Sequence, residues 1–161
     1  MATKDTKDAC DLLDADHRAV KKLFIEYNEL GESKSKTALA TKMALAKKIC
    51  RELTVHATIE EEIFYPPVRA AIKDDPLLDE AEVEHASCKA LIAEIEAGEP
   101  SEPMFDAKVK VLGEYIDHHV KEERNEMFPK AREAKKLDLV ALRAGLEARK
   151  AELMDQQMAT A

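Results

Sequence analysis

Two stretches of the chain place a histidine four residues ahead of a glutamate: His56 with Glu60, and His119 with Glu123. On a helix such residues lie one above the other on the same face, so each pair would present an imidazole and a carboxylate together. That is a chelating arrangement. Leu45, Ile49, Leu53, Ile59 and Ile63 flank the first pair, and Val109, Leu112 and Ile116 precede the second, which turns both toward an apolar interior. A carboxylate buried without a partner costs several kcal/mol or takes up a proton, and a bound cation removes that difficulty. Imidazole with carboxylate suits borderline cations such as Fe, Mn or Zn, and carboxylates between two such ions can bridge them.

The pattern is doubled. His56 leads to Glu60, Tyr65-Pro66 and Arg69; His119 leads to Glu123, Phe128-Pro129 and Arg132, each at the same offset. Asp16-His17 with Lys21 and Leu23 likewise matches Glu84-His85 with Lys89 and Leu91. Each half thus supplies one lone histidine and one His-x-x-x-Glu, as a pair of helical hairpins related by a pseudo-twofold would. The resulting set is His17, His56, Glu60, His85, His119 and Glu123. It is too large for one tetrahedral zinc and too rich in nitrogen for calcium or magnesium, so two metals fit better than one.

Over residues 7–135 these residues resemble the hemerythrin-like, or HHE, cation-binding domain. The strings Glu60-Glu-Glu-Ile-Phe-Tyr-Pro66 and His118-His-Val-Lys-Glu-Glu123 carry the resemblance with the six residues above. It implies a non-haem centre of two Fe ions, bridged by Glu60, Glu123 and an exchangeable oxo or hydroxo group, that meets dioxygen, peroxide or nitric oxide. One departure matters. Oxygen-carrying members have a further histidine one turn after the lone histidine of the third helix, where this chain has Lys89. The ligand set is therefore similar to that of the four-histidine, two-glutamate members, which the family associates with sensing, peroxide handling or regulation. Without a CxxC or an amino-terminal cysteine domain, the resemblance to the iron-cluster repair members is only partial.

Several neighbours are candidates for lesser roles. His118 shares a face with Val111, Glu114, Glu122 and Asn125, more polar than that of His119, and reads as a surface or supporting group, or as an extra ligand with Glu122 as companion. Tyr115, one turn before His119, could reach the metals or hydrogen-bond a bridging ligand, with ordinary packing as the plainer reading. Cys88 reads as a small buried filler, and Glu61, Glu62, Glu122 and Glu126 as a solvated face. The Tyr65-Pro66 and Phe128-Pro129 pairs read as hydrophobic plugs ending the ligand helices.

The elements that must hold these groups are helices. Ala, Leu, Glu and Lys dominate 161 residues that include only 4 Gly and 6 Pro, a composition that favours helix. The spacing predicts a first helix over 7–30, ended at Gly31, and a long second helix kinked or ended by Pro66-Pro67. A third opens at Asp74-Asp75-Pro76, and a fourth runs from near Pro103 to Pro129. The expected fold is all-α: an antiparallel up-down four-helix bundle over 1–135 with an additional carboxy-terminal helix over 136–161, packed on the bundle or against a protein partner.

Net charge is −8, with 25 basic residues interleaved among 33 acidic ones, which argues against nucleic acid. No apolar run is long enough to span a bilayer, and the stretch from Met1 to Asp8 has no signal-peptide-type hydrophobic core. Cys10, Cys50 and Cys88, widely spaced, read as reduced buried thiols of a cytoplasmic protein. Three function classes follow: a sensor of a small diatomic or peroxide ligand, a peroxide-decomposing or nitric-oxide-reducing enzyme, and a metal-storage or structural bundle.

Overall fold

A computed structural model describes residues 7–159, all helical apart from turns; expectations for residues 1–6, including the missing signal-type hydrophobic run, and for 160–161 lie outside it. Helix α1 (Ala9–Glu29) starts on a reciprocal cap in which Asp8 accepts from the Asp11 N–H and Asp11 accepts from the Asp8 N–H. It ends where Gly31 takes φ +58°, the left-handed turn that a residue without Cβ adopts at least cost. Ser35 caps α2 (Lys36–Ile59), and Asp74 caps α4 (Asp75–Ala97), whose second residue is Pro76. Helix α5 spans Phe105–Glu122 and α7 Leu139–Ala159.

The ligand helices differ from expectation. Pro66 does not end the second helix: α2 passes through a π-helical turn (Glu60–Phe64) into α3 (Tyr65–Ile72). Pro129 likewise does not end the fourth, because α5 passes through a π turn (Glu123–Met127) into α6 (Phe128–Glu133). The reason lies in the prolines' position. Each falls in the first turn of the following helix, where its missing N–H is no loss, while the wider turn before it closes from Tyr65 N–H to Glu60 O and from Phe128 N–H to Glu123 O.

Helices α1 and α2 pack as one hairpin and α4 and α5 as the other, and contacts of α2 with α4 and of α1 with α5 close an up-down four-helix bundle. At Gly113 the second pair closes tightly, since a Cβ there would come within 3.2 Å of the Phe24 ring. Helix α7 lies across α1 and α2, burying Leu139 and Leu146.

Two apolar clusters form the core. One contains Leu13, Ile59, Phe64, Val68, Leu78 and Met127; the other contains Val20, Phe24, Ile49, Ile92, Val109 and Leu112. Along each bundle helix the two are separated by the same kind of residue: His17, His56 and Glu60, His85, or His119 and Glu123. A buried polar layer therefore crosses an otherwise apolar bundle. At the far end, fully buried Lys42 donates to the carbonyls of Gly31 and Ser33 and to Asp106 Oδ2 at 3.0 Å, and Tyr27 donates to Asp106 Oδ1 at 2.7 Å. That ion pair ties the first loop to α5. Among the described residues no helix is long and apolar enough to cross a membrane.

Candidate metal centre

All six doubled residues meet in the polar layer, each under 10% exposed. His17 and His56 bring their Nε2 atoms to 3.0 Å, and His85 and His119 bring theirs to 3.2 Å. The carboxylates span these pairs. Glu60 Oε1 is 2.9 Å from His56 Nε2 and 3.5 Å from His85 Nε2; Glu123 Oε1 is 2.8 Å from His119 Nε2 and 3.5 Å from His17 Nε2. Yet none of the four carboxylate oxygens, all buried, receives a hydrogen bond. At these distances what fails is the angle, not the separation. Buried carboxylates without hydrogen-bond donors are costly in a native interior, and nitrogen and oxygen donors converging in this way fit a pair of cations. Two overlapping groups, His17-His56-Glu60-Glu123 and Glu60-His85-His119, each have donor atoms within 4.8 Å of one another, a span suited to one ion apiece.

Electrostatics agree with that fit. Burial works against ionisation of Glu60, but the adjoining charge of His56 outweighs it and holds the carboxyl well below its usual range. Burial would lower His56, whereas Glu60 and the Asp16 contact push it up to about 10. His119 is likewise raised by Glu123 and Glu84 against the effect of burial. Protons kept in this way are the ones a metal would displace.

A second ring of residues orients the imidazoles. His56 Nδ1 lies 3.1 Å from Asp16 Oδ2, and His119 Nδ1 lies 2.9 Å from Glu84 Oε1. Carboxylates in this position set the tautomer and ring angle of a ligating histidine. They diverge beyond that point. Asp16 Oδ1 accepts from Lys150 of α7 at 2.6 Å, whereas Glu84 Oε2 faces His118 Nε2 at 3.3 Å.

Other candidates fall elsewhere. His118 is 65% exposed and reaches the layer only through Glu84, with Glu122 3.5 Å away. Tyr115 is 47% exposed and lines a surface recess with Val83 and Ser87. Lys89 turns its ammonium outward to Glu61, at 2.5 and 2.8 Å, so it offers the centre no donor. The reading of Tyr65 as an apolar plug needs correction, because its hydroxyl enters the layer, 3.1 Å from His85 Nε2 and 3.2 Å from His119 Nε2. At the matching place Phe128 stacks on His17, with centroids 6.3 Å apart.

Asp16, Glu84 and Lys150 were not legible as functional from single motifs. The duplication did hold a signal for the first two, since an acid precedes the lone histidine in both halves. Nothing in the sequence of α7 singles out Lys150. Beside the histidines lies a cavity of about 120 Å³ walled by Val20, Leu53, Ala57, Cys88, Ile92 and Ile116. Its size and walls suit a small, weakly polar molecule.

Comparison with known proteins places the chain in context. The family profile described as hemerythrin HHE cation binding domain matches residues 8–131. A protein named DNA nickase from Nostoc sp. is 31% identical over 118 residues, covering 73% of this chain but 32% of that protein, so the chain spans about a third of the relative's length. The crystal structure of a hemerythrin HHE cation binding domain-containing protein from Mycobacterium kansasii superimposes with a TM-score of 0.75 at 25% identity, covering 93% of this chain and 89% of that one.

Proposed function

The chain belongs to the hemerythrin HHE cation-binding domain family, and from that premise we propose that it is a non-haem di-iron protein that binds or reacts with a small oxidant in sensing or in oxidative and nitrosative stress. The observation that carries the reading is the polar layer itself: two histidine pairs spanned by two carboxylates whose oxygens have no hydrogen-bond donor. In it His17, His56, His85 and His119 would supply nitrogen and Glu60 and Glu123 carboxylate oxygen to the ions; Mn or Zn would accept the same donors. Two ferrous ions held there would supply the coordination and electrons that dioxygen, peroxide or nitric oxide need.

The protein's own groups do the rest. Asp16 and Glu84 hold the imidazole rings in register through Nδ1. The apolar walls exclude bulk water and leave space beside the histidines for a diatomic molecule or peroxide. The sensing reading ranks first, because α7 is joined to His56 through Lys150 and Asp16, so the state of the site and the docking of this helix are coupled. A protein partner that competes for α7 would read that coupling. We take residues 1–135 as the metal-binding unit, 136–161 as its appended helix, and the cytoplasm as its place of action, consistent with three buried free thiols. Strand cleavage is not carried over from the longer relative, of which the chain spans 32%, and a net charge of −8 with interleaved signs argues against a polyanion partner.

Metal analysis with anaerobic and aerobic optical spectra tests the proposal. The expected result is two irons per chain and a ferric absorption that bleaches on reduction. One zinc per chain, or no metal, overturns it. Rapid turnover of peroxide or nitric oxide by the iron-loaded protein would replace sensing with the enzymatic reading; a loaded site inert to both would leave storage or a structural role.

A further inference from the structure

We propose that the outward face of the α4–α5 hairpin is a docking surface for a basic amphipathic helix of a partner protein, with one lysine or arginine of that helix seated against Glu84. The proposal goes beyond the metal reading and does not depend on it. The duplication supplies the comparison. The offsets that carry His17 onto His85 and His56 onto His119 also carry Asp16 onto Glu84, Leu12 onto Glu80, Val55 onto His118 and Ile59 onto Glu122. In the first half this face is covered. Helix α7 packs on α1, α2 and the π turn that follows α2, and Leu12 joins the apolar cluster that contains Leu139 and Leu146. Val55 and Ile59 are buried, and Lys150 donates to Asp16 at 2.6 Å. In the second half the matching face lies open, with Val83 67%, His118 65% and Tyr115 47% exposed.

What the open face offers is chemically specific. A recess of about 330 Å³ is lined by Val83, Glu84, Ser87, Tyr115 and His118. Its apolar and aromatic walls suit the methylene stem of a long basic side chain, and the Glu84 carboxylate among them suits the charge. Glu80, Glu84, His118 and Glu122 bring polar atoms within 4.8 Å of one another. With three acids to one histidine, the face carries negative charge that a basic helix would complement. Glu84 Oε2 and Glu122 Oε1 lie 3.3 and 3.5 Å from His118 Nε2, a weaker base than the ammonium that serves Asp16. A second copy of this chain is a poor occupant, because a twofold contact would set the same acids against one another. A partner helix here would also touch the polar layer, since Glu84 Oε1 lies 2.9 Å from His119 Nδ1.

The test uses the full-length protein and a synthetic amphipathic helical peptide of leucine and lysine, with a leucine and glutamate peptide of the same pattern as control. Fluorescence anisotropy measures affinity, and hydrogen exchange read by mass spectrometry locates the contact. The lysine peptide should bind and protect segments 80–87 and 111–118, and the glutamate peptide should not bind. Glu80→Gln combined with Tyr115→Ala should weaken binding by about tenfold or more. Glu29→Gln combined with Glu32→Gln, which removes charge from exposed positions elsewhere, should leave it within about twofold. No binding, protection on other helices, or equal weakening by the two double variants, the sign of diffuse charge attraction, overturns the inference. So does a dimer in light scattering that Tyr115→Ala dissociates, which would make this a self-associating face. A zinc ion that binds Glu80, Glu84, His118 and Glu122 and excludes the peptide overturns it too. Exchange mapping of the wild type decides the point alone if a variant fails to fold.

Discussion

Replacing Glu60 by glutamine keeps the shape of a fully buried side chain and removes one charge from between the two histidine pairs. Glu60 Oε1 stands near both His56 and His85, so the substitution should weaken both metal positions, not one. Metal at a thousand times its dissociation constant stabilises the native state by about 4 kcal/mol. In a domain of 161 residues that is a rise of about 8–16 °C in Tm. Without the bridge the difference between metal-loaded and chelator-treated Glu60→Gln should fall to a few degrees. The metal-free variant should itself melt lower than metal-free wild type, because His56 loses the carboxylate charge paired with it, so the metal-dependent increment is the quantity compared. Calorimetry of both proteins with ferrous iron or chelator under argon, paired with metal analysis, provides the readout. A variant that retains two metals and the full thermal increment refutes the reasoning; so does one that loses equal stability with and without metal, since Glu60 would then be a packing residue.

Two further predictions follow from the surroundings of the site. Asp16→Asn should weaken retention of metal by about 10–100-fold, as loss of a carboxylate orienting a ligand histidine does, and Lys150→Met should weaken it less, since Lys150 acts only through Asp16; competition with a graded series of chelators would measure both, and equal retention by all three proteins would show that the Lys150-Asp16-His56 chain is not a support. At the opposite end, Asp106→Ala should destabilise the protein by about 3 kcal/mol in urea titrations, because buried Lys42 loses its carboxylate, while metal content stays at the wild-type value; a smaller change than about 0.5 kcal/mol would mean that the Gly31 and Ser33 carbonyls suffice for the ammonium.

The sequence by itself determined a good deal. Helical periodicity, the caps at Asp8, Ser35 and Asp74 and the stop at Gly31 are properties of residues within a turn or two of each other. The i, i+4 pairs and their repetition are local in the same sense, which is why the four-helix architecture and the six inward-facing residues could be read before any helix was placed. What joins different helices could not. The meeting of His17 with His56, 39 residues away, and of Lys150 with Asp16, 134 residues away, depends on how hairpins dock, and composition carries no register for that. Tyr65 shows a subtler limit. An α-helical register leaves its hydroxyl off the face of Glu60; the closure of a π turn decides otherwise, and that closure depends on where the chain beyond Pro66 must pack. Lys42 is the same lesson in reverse: no motif singles it out, and it is buried because two loop carbonyls and Asp106 of a distant helix surround its ammonium. Short-range geometry is written in neighbouring residues, whereas the partner of a buried polar atom is supplied by whatever segment the packing of the apolar faces brings beside it.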